Sequence, residues 1–268
     1  MNIIEIFQYG FMQRAFLAGS FIAMTCAVLG MFLVLRKMSL IGDGLSHVSF
    51  GAIALGLFLG IYPIYIAIPI AIIGSLIILK ISQQAKVYGD AAIGMVSSVG
   101  IASGVILAGL SKGFNVDLFS YLFGNILAIS TTEVVMAMIL SGFVLFLIYL
   151  FYWELFSISF DEEYAQASGI NTGFINALLA ILAAITVVLS VKVVGIMLVS
   201  ALLIFPAVTA LQLAKRFQTT IFFAMVIALL SVIIGIILSF SFNLPTGAMI
   251  IILNAILFGL AMIWKKLG

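Results

Sequence analysis

The sequence predicts an all-α, polytopic membrane protein with about nine transmembrane helices, and three features of the chain require it. Of 268 residues, 65% are hydrophobic and only 7% charged, with a mean hydropathy of +1.41. A soluble domain of that make-up could not cover its surface with polar groups. The apolar residues also form continuous runs long enough to cross ~30 Å of hydrocarbon as helices. Finally, the runs do not alternate polar with apolar, as the strands of a membrane barrel must.

Taken in order, the first span covers about 12–35. The opening MNIIEIFQYGFMQRAF lacks the basic segment and short apolar stretch of a cleaved signal, and Glu5 stands where positive charge is expected. The first span is therefore expected to be retained. Cys26 has no second cysteine to pair with and reads as a small buried hydrophobe. Further spans fall at about 44–60, 62–79, 91–110, 134–153, 174–191, 193–213, 219–242 and 245–264. Pro63 suits the first turn of the third span. Because the second and third are short, eight spans with one broken helix is the alternative.

The basic residues orient the chain. With the N-terminus outside, Arg36, Lys37, Lys80, Lys86, Lys215, Arg216, Lys265 and Lys266 fall inside, against Arg14, Lys112 and Lys192 outside. The positive-inside rule then places the N-terminus out and the C-terminus in. An odd number of spans satisfies both ends.

Two stretches do not span. Residues 115–130, NVDLFSYLFGNILAIS, are apolar but short. They form either a half-helix dipping into the bilayer under protein cover or an ordinary interfacial helix. On the inner side, ELFSISFDEEYAQASGINTG (154–173) is the longest polar stretch. Its three consecutive acids favour the first turn of a short helix and Gly169 its end. It is either a solvated loop or a compact plug for a cytosolic partner.

There is no GxxxxGK[ST], HExxH or CxxC pattern, so the chain is not expected to be an enzyme or to hold a permanent cofactor. Energy must come from another subunit or from an ion gradient. No nucleic-acid partner is expected. Within this apolar chain, GDGLSHVSFG places the only histidine, His47, four residues after Asp43. That spacing puts both side chains on one helical face. A carboxylate in a span costs ~2.5–3.5 kcal/mol on the insertion scale and calls for a partner or a wet cavity. The pair is either a structural clasp or half of a cation site, and intramembrane ionisable groups favour the second. Two copies across a twofold axis would supply two oxygens and two nitrogens, a set suited to a divalent transition metal rather than magnesium or calcium. Ligation needs neutral imidazole, so uptake is expected to slow as pH falls.

Three segments together, RKMSLIGDGLSHVSFGAIALG (36–56), FDEEYAQASGI (160–170) and VVGIMLVSALLIFPAVTALQLA (193–214), resemble the zinc/manganese ABC importer permeases over essentially the whole chain. The resemblance implies a single permease domain over 1–268, with a fold like that of the vitamin B12-type importers, working as a homodimer around a central pathway. Asp43 and His47 match the metal-contacting positions. Phe160, Asp161, Glu162, Glu163, Tyr164, Ala167 and Gly169 match the coupling helix that enters a cytosolic ATPase subunit. The other implied partners are an extracytoplasmic metal-binding receptor and the lipid of a bacterial cytoplasmic membrane, with ATP used only by the partner subunit. GDGLSHV looks most like the zinc branch, with manganese or iron the alternatives. A proton-coupled secondary metal transporter is the competing class, and it would run without an ATPase. Within the third segment, Pro206 removes one backbone bond and is expected either to kink its helix or simply to pack.

Overall fold

The computed structural model describes residues 8–84, 89–111, 116–125 and 129–267. Glu5, Lys86, Lys112, Asn115 and part of the apolar stretch after Asn125 lie outside them. The chain order is α1 (Gly10–Leu35), α2 (Ile41–Leu59), α3 (Pro63–Gln84), α4 (Gly89–Leu110), α5 (Val116–Phe123) and α6 (Thr131–Leu150). Then come α7 (Tyr152–Phe160), α8 (Glu162–Ala167), α9 (Thr172–Val194), a 3-10 turn (Ile196–Leu198), α10 (Val199–Leu213), α11 (Phe217–Phe242) and α12 (Thr246–Leu267). Among the described residues, nine helical segments are long and apolar enough to cross a membrane, as the hydropathy runs require.

The spans match the expected positions, and local chemistry accounts for the shifted ends. The fifth span begins at Thr131 because Ser130 and Glu133 form a reciprocal capping box. Asn171 caps α9 by accepting from the Phe174 N–H at 3.0 Å. Pro63 opens α3. Helix α10 runs on through Pro206 without a break. The second span starts earlier than expected, at Ile41, so Asp43 falls in the first turn of α2.

Helices α1 and α9 form the centre, with rows of buried alanine, valine and leucine. Helix α1 packs against α6, α10 and α11, and α2 is held between α3 and α4. The outer faces of α4, α6 and α12 expose Val99, Ile106, Ile139 and Ile263. Such faces are as apolar as the core, as expected where lipid replaces water.

Close approaches set the position of α2. A Cβ on Gly100 of α4 would lie 2.7 Å from the His47 carbonyl oxygen and 2.8 Å from the Val48 Cα. Only glycine lets the two backbones meet there. The seventh expected span, 193–213, is split. Gly195 has φ +88°, and a Cβ on it would lie 2.4 Å from the Phe123 carbonyl carbon at the end of α5. The positive φ and the crowding both require glycine. Helix α5 packs on this turn, on α9 and on α2, with Tyr121 buried. Within the described residues 116–125, this part of the stretch is packed against protein at Tyr121 and Gly124.

Candidate metal pathway and polar helix

Asp43 and His47 do share a face of α2. The His47 Nε2 and Asp43 Oδ2 atoms are 3.7 Å apart, with 52% of the Asp43 side chain and 26% of His47 exposed. At that separation the two groups are neighbours without a tight hydrogen bond. Both therefore keep lone pairs available to a third body. The first-turn position also lets the helix N-terminus favour the Asp43 carboxylate, which reduces the cost of placing an acid in this segment.

The nearby hydroxyls divide. Ser46 donates to the Asp43 carbonyl at 2.7 Å and Ser49 to the Leu45 carbonyl at 2.7 Å, and both residues are buried. They serve their own helix and leave the site. Ser200, near the start of α10, instead places its hydroxyl 3.5 Å from Asp43 Oδ1. It lies 157 residues away in sequence, and no local pattern marks it. The break at Gly195 and the 3-10 turn bring it there. Among the described residues, no group of three or more His, Cys, Asp or Glu side chains could hold a metal ion. One copy of the chain thus presents one carboxylate and one imidazole.

The inner polar stretch folds as two helices, α7 and α8. Phe160, which the resemblance placed in the short helix, ends α7 instead. Asp161 caps α8 by accepting from the Tyr164 N–H at 2.9 Å, and Glu162 and Glu163 occupy the first turn. The helix closes in a Schellman motif. Gly169 has φ +87°, its N–H reaches the Gln166 carbonyl at 3.1 Å, and the Ile170 N–H reaches that of Ala165 at 3.1 Å. Ala165 is buried beneath the helix, while Tyr164 is 69% exposed. Glu163 and Ala167 also face outward.

A second charged cluster lies at the opposite end of the bundle, built from the capping-box Glu133 and partners distant in sequence. Glu133 is only 6% exposed. One carboxylate oxygen accepts from Lys192 Nζ at 2.9 Å, and the other accepts from the Ser130 N–H at 2.8 Å. The Lys192 ammonium also lies 4.3 Å from the centroid of the Tyr121 ring, within cation–π range. Burial, reinforced by the Glu133 carboxylate, holds the phenol of Tyr62, in the link before α3, well above the usual tyrosine range. This cluster joins the ends of α6 and α9 to α5.

The family model described as ABC 3 transport family matches residues 8–265. The chain belongs to that family. It is 35% identical over 259 residues to the manganese transport system membrane protein MntC of Listeria innocua, covering 97% of this chain and 92% of the relative. It is 34% identical over 252 residues to the high-affinity zinc uptake system membrane protein ZnuB of Haemophilus influenzae, covering 94% and 97%. A solved structure of PsaBC from Streptococcus pneumoniae in complex with Fab matches with a TM-score of 0.87 and 33% identity, covering 97% of this chain and 93% of that one. As a member of the ABC 3 transport family, the chain is a transport permease subunit.

Proposed function

We propose that this permease moves a divalent transition metal into the cytoplasm, with zinc as the ion, powered by a separate ATPase. The observation behind this reading is the partly exposed Asp43–His47 pair on α2, in a chain whose relatives are named for metal transport. Two donors per chain are too few to hold an ion. Two copies facing each other would supply four, an oxygen and nitrogen set that suits zinc in a transferable site. Zinc exceeds manganese in intrinsic affinity for such donors. Manganese is the second reading, because relatives named for that metal are as similar as those named for zinc.

In this scheme the N-terminus lies outside. A receptor docks at the end of the bundle where a cavity of about 790 Å³ opens between Phe11, Ser120, Asn125, Asn243 and Thr246. Helix α8 enters the ATPase with the exposed Tyr164 foremost, and Glu163 and Ala167 contribute to the same surface. Nucleotide-driven closure then switches the two copies between outward- and inward-facing states.

The test is uptake of radioactive zinc and manganese, side by side, in cells that also carry the receptor and the ATPase. Asp43→Ala and His47→Ala, at equal membrane abundance, are each expected to lower ATP-dependent zinc uptake at least tenfold. Entry of manganese alone would keep the site and replace the ion. Normal transport by both variants would make the pair a structural clasp.

A further inference from the structure

The corner between α1 and α2 is tied to α8 by three side chains from distant parts of the chain. Arg36, directly after α1, donates from Nη2 to Glu162 Oε2 at 2.8 Å and from Nη1 to Asn176 Oδ1 on α9. Asn176 Nδ2 in turn donates to Glu162 Oε1 at 2.7 Å. The bonds close a triangle in which each carboxylate oxygen takes one donor. Arg36 is 10% exposed and Glu162 46%, and Asn176 is buried. An exposed ion pair would contribute little. Here a largely covered guanidinium and a buried amide grip one end of an otherwise projecting helix. Burial lowers the Arg36 pKa from its ordinary value, and Glu162 opposes that shift, so the carboxylate supports the charge where water is scarce.

The backbone after Arg36 is stitched as far as the metal-facing pair. Lys37 adopts φ +57°, a left-handed conformation uncommon for a side chain of its size. The Met38 N–H reaches back to the Leu33 carbonyl at 2.9 Å, that of Ile41 to Met38 at 3.0 Å, and that of Asp43 to Leu40 at 3.1 Å. A displacement of Arg36 is therefore carried to the first turn of α2 rather than absorbed by a slack loop. A cleft of about 210 Å³ lined by Arg36, Lys37, Glu162, Asn176 and Asp90 lies beside the triangle, which leaves it room to rearrange.

We infer that Arg36, Asn176 and Glu162 are positioning residues that link movement of α8 to the placement of Asp43 and His47. The inference rests on the proposed role of α8 as the ATPase contact. Coupling of this kind requires an element with two arrangements that both sites bias, and the inference assigns that part to the α1–α2 corner.

The experiment reconstitutes the permease with its ATPase subunits in liposomes, supplies its zinc-loaded receptor, then measures zinc ions accumulated per ATP hydrolysed. Arg36→Gln and Asn176→Leu are expected to retain ATPase association and hydrolysis within about twofold of the unmodified complex, while ions per ATP fall at least tenfold for Arg36→Gln, in line with the energy of a typical coupling. Arg36→Lys, which keeps the charge and one donor, should recover part of the ratio. A parallel fall of transport and hydrolysis, with ions per ATP unchanged, would reduce the triangle to a structural staple and overturn the inference. Should Arg36→Gln fail to assemble, Asn176→Leu decides the same ratio with the direct Arg36–Glu162 pair still in place. If the unmodified chain does not retain an ATPase at all, the failure lies with the proposed function itself.

Discussion

Glu133 and Asp43 are both carboxylates in membrane-crossing helices, and their surroundings separate their roles. Glu133 has a partner on each oxygen and little exposure, whereas Asp43 has one distant hydroxyl, an imidazole at 3.7 Å and half its surface free. The first is closed and structural, the second open and available. Removing one member of a buried pair leaves an uncompensated charge, which costs about 3–5 kcal/mol. Lys192→Met is therefore expected to lower stability by about that amount, and adding Glu133→Gln should restore a large part of it. Thermal unfolding of the purified protein in detergent measures both. A double-variant loss equal to the sum of the Lys192→Met and Glu133→Gln losses would mean that the pair is uncoupled.

Among the elements, α8 is the most legible in the amino-acid sequence, because its signals are local. Asp161 as cap, two acids in the first turn and Gly169 past the end act over one or two turns of backbone. The split at Gly195 is not legible in this way. Glycine is common in membrane helices, and only the carbonyl of Phe123, brought in by α5, shows that a side chain has no room there. Likewise, the polar stretch from Glu154 is legible, but its division into two helices, with α7 beginning at Tyr152, is not. The exposed Tyr164 makes α8 testable without disturbing its base. Tyr164→Glu is expected to abolish copurification of the ATPase while leaving the melting temperature within about 2 °C, since surface changes rarely exceed ±0.5 kcal/mol. Lost association together with normal metal uptake would favour a secondary transporter.

For the whole molecule, the decisive quantity is donors per site. One chain offers Asp43 and His47, and among the described residues no third acid, histidine or cysteine joins them. If two copies share one ion, a tethered dimer with one unmodified copy and one Asp43→Ala/His47→Ala copy keeps only half the donors. Its zinc uptake should then fall at least tenfold, where two independent sites would leave about half. The exposure of Asp43 suits such sharing, since a carboxylate covered by its own chain could not meet a second copy.

The sequence by itself determined the class and the positions of the membrane-crossing segments, with nine read and eight the alternative, and it marked two polar stretches. Hydrocarbon thickness and the need to satisfy every backbone group internally act on each segment separately, so they can be read one run at a time. It also put Asp43 and His47 on one face, because i to i+4 spacing needs nothing beyond a helix. Tertiary structure alone decided which hydroxyl approaches Asp43, which acid neutralises Lys192, where the seventh span breaks, and how Arg36 meets Glu162 and Asn176. Those contacts join residues as far as 157 positions apart. In lipid, outward and inward faces are equally apolar, so hydrophobic pattern carries no information about which helices touch. Only packing of the whole bundle supplies it.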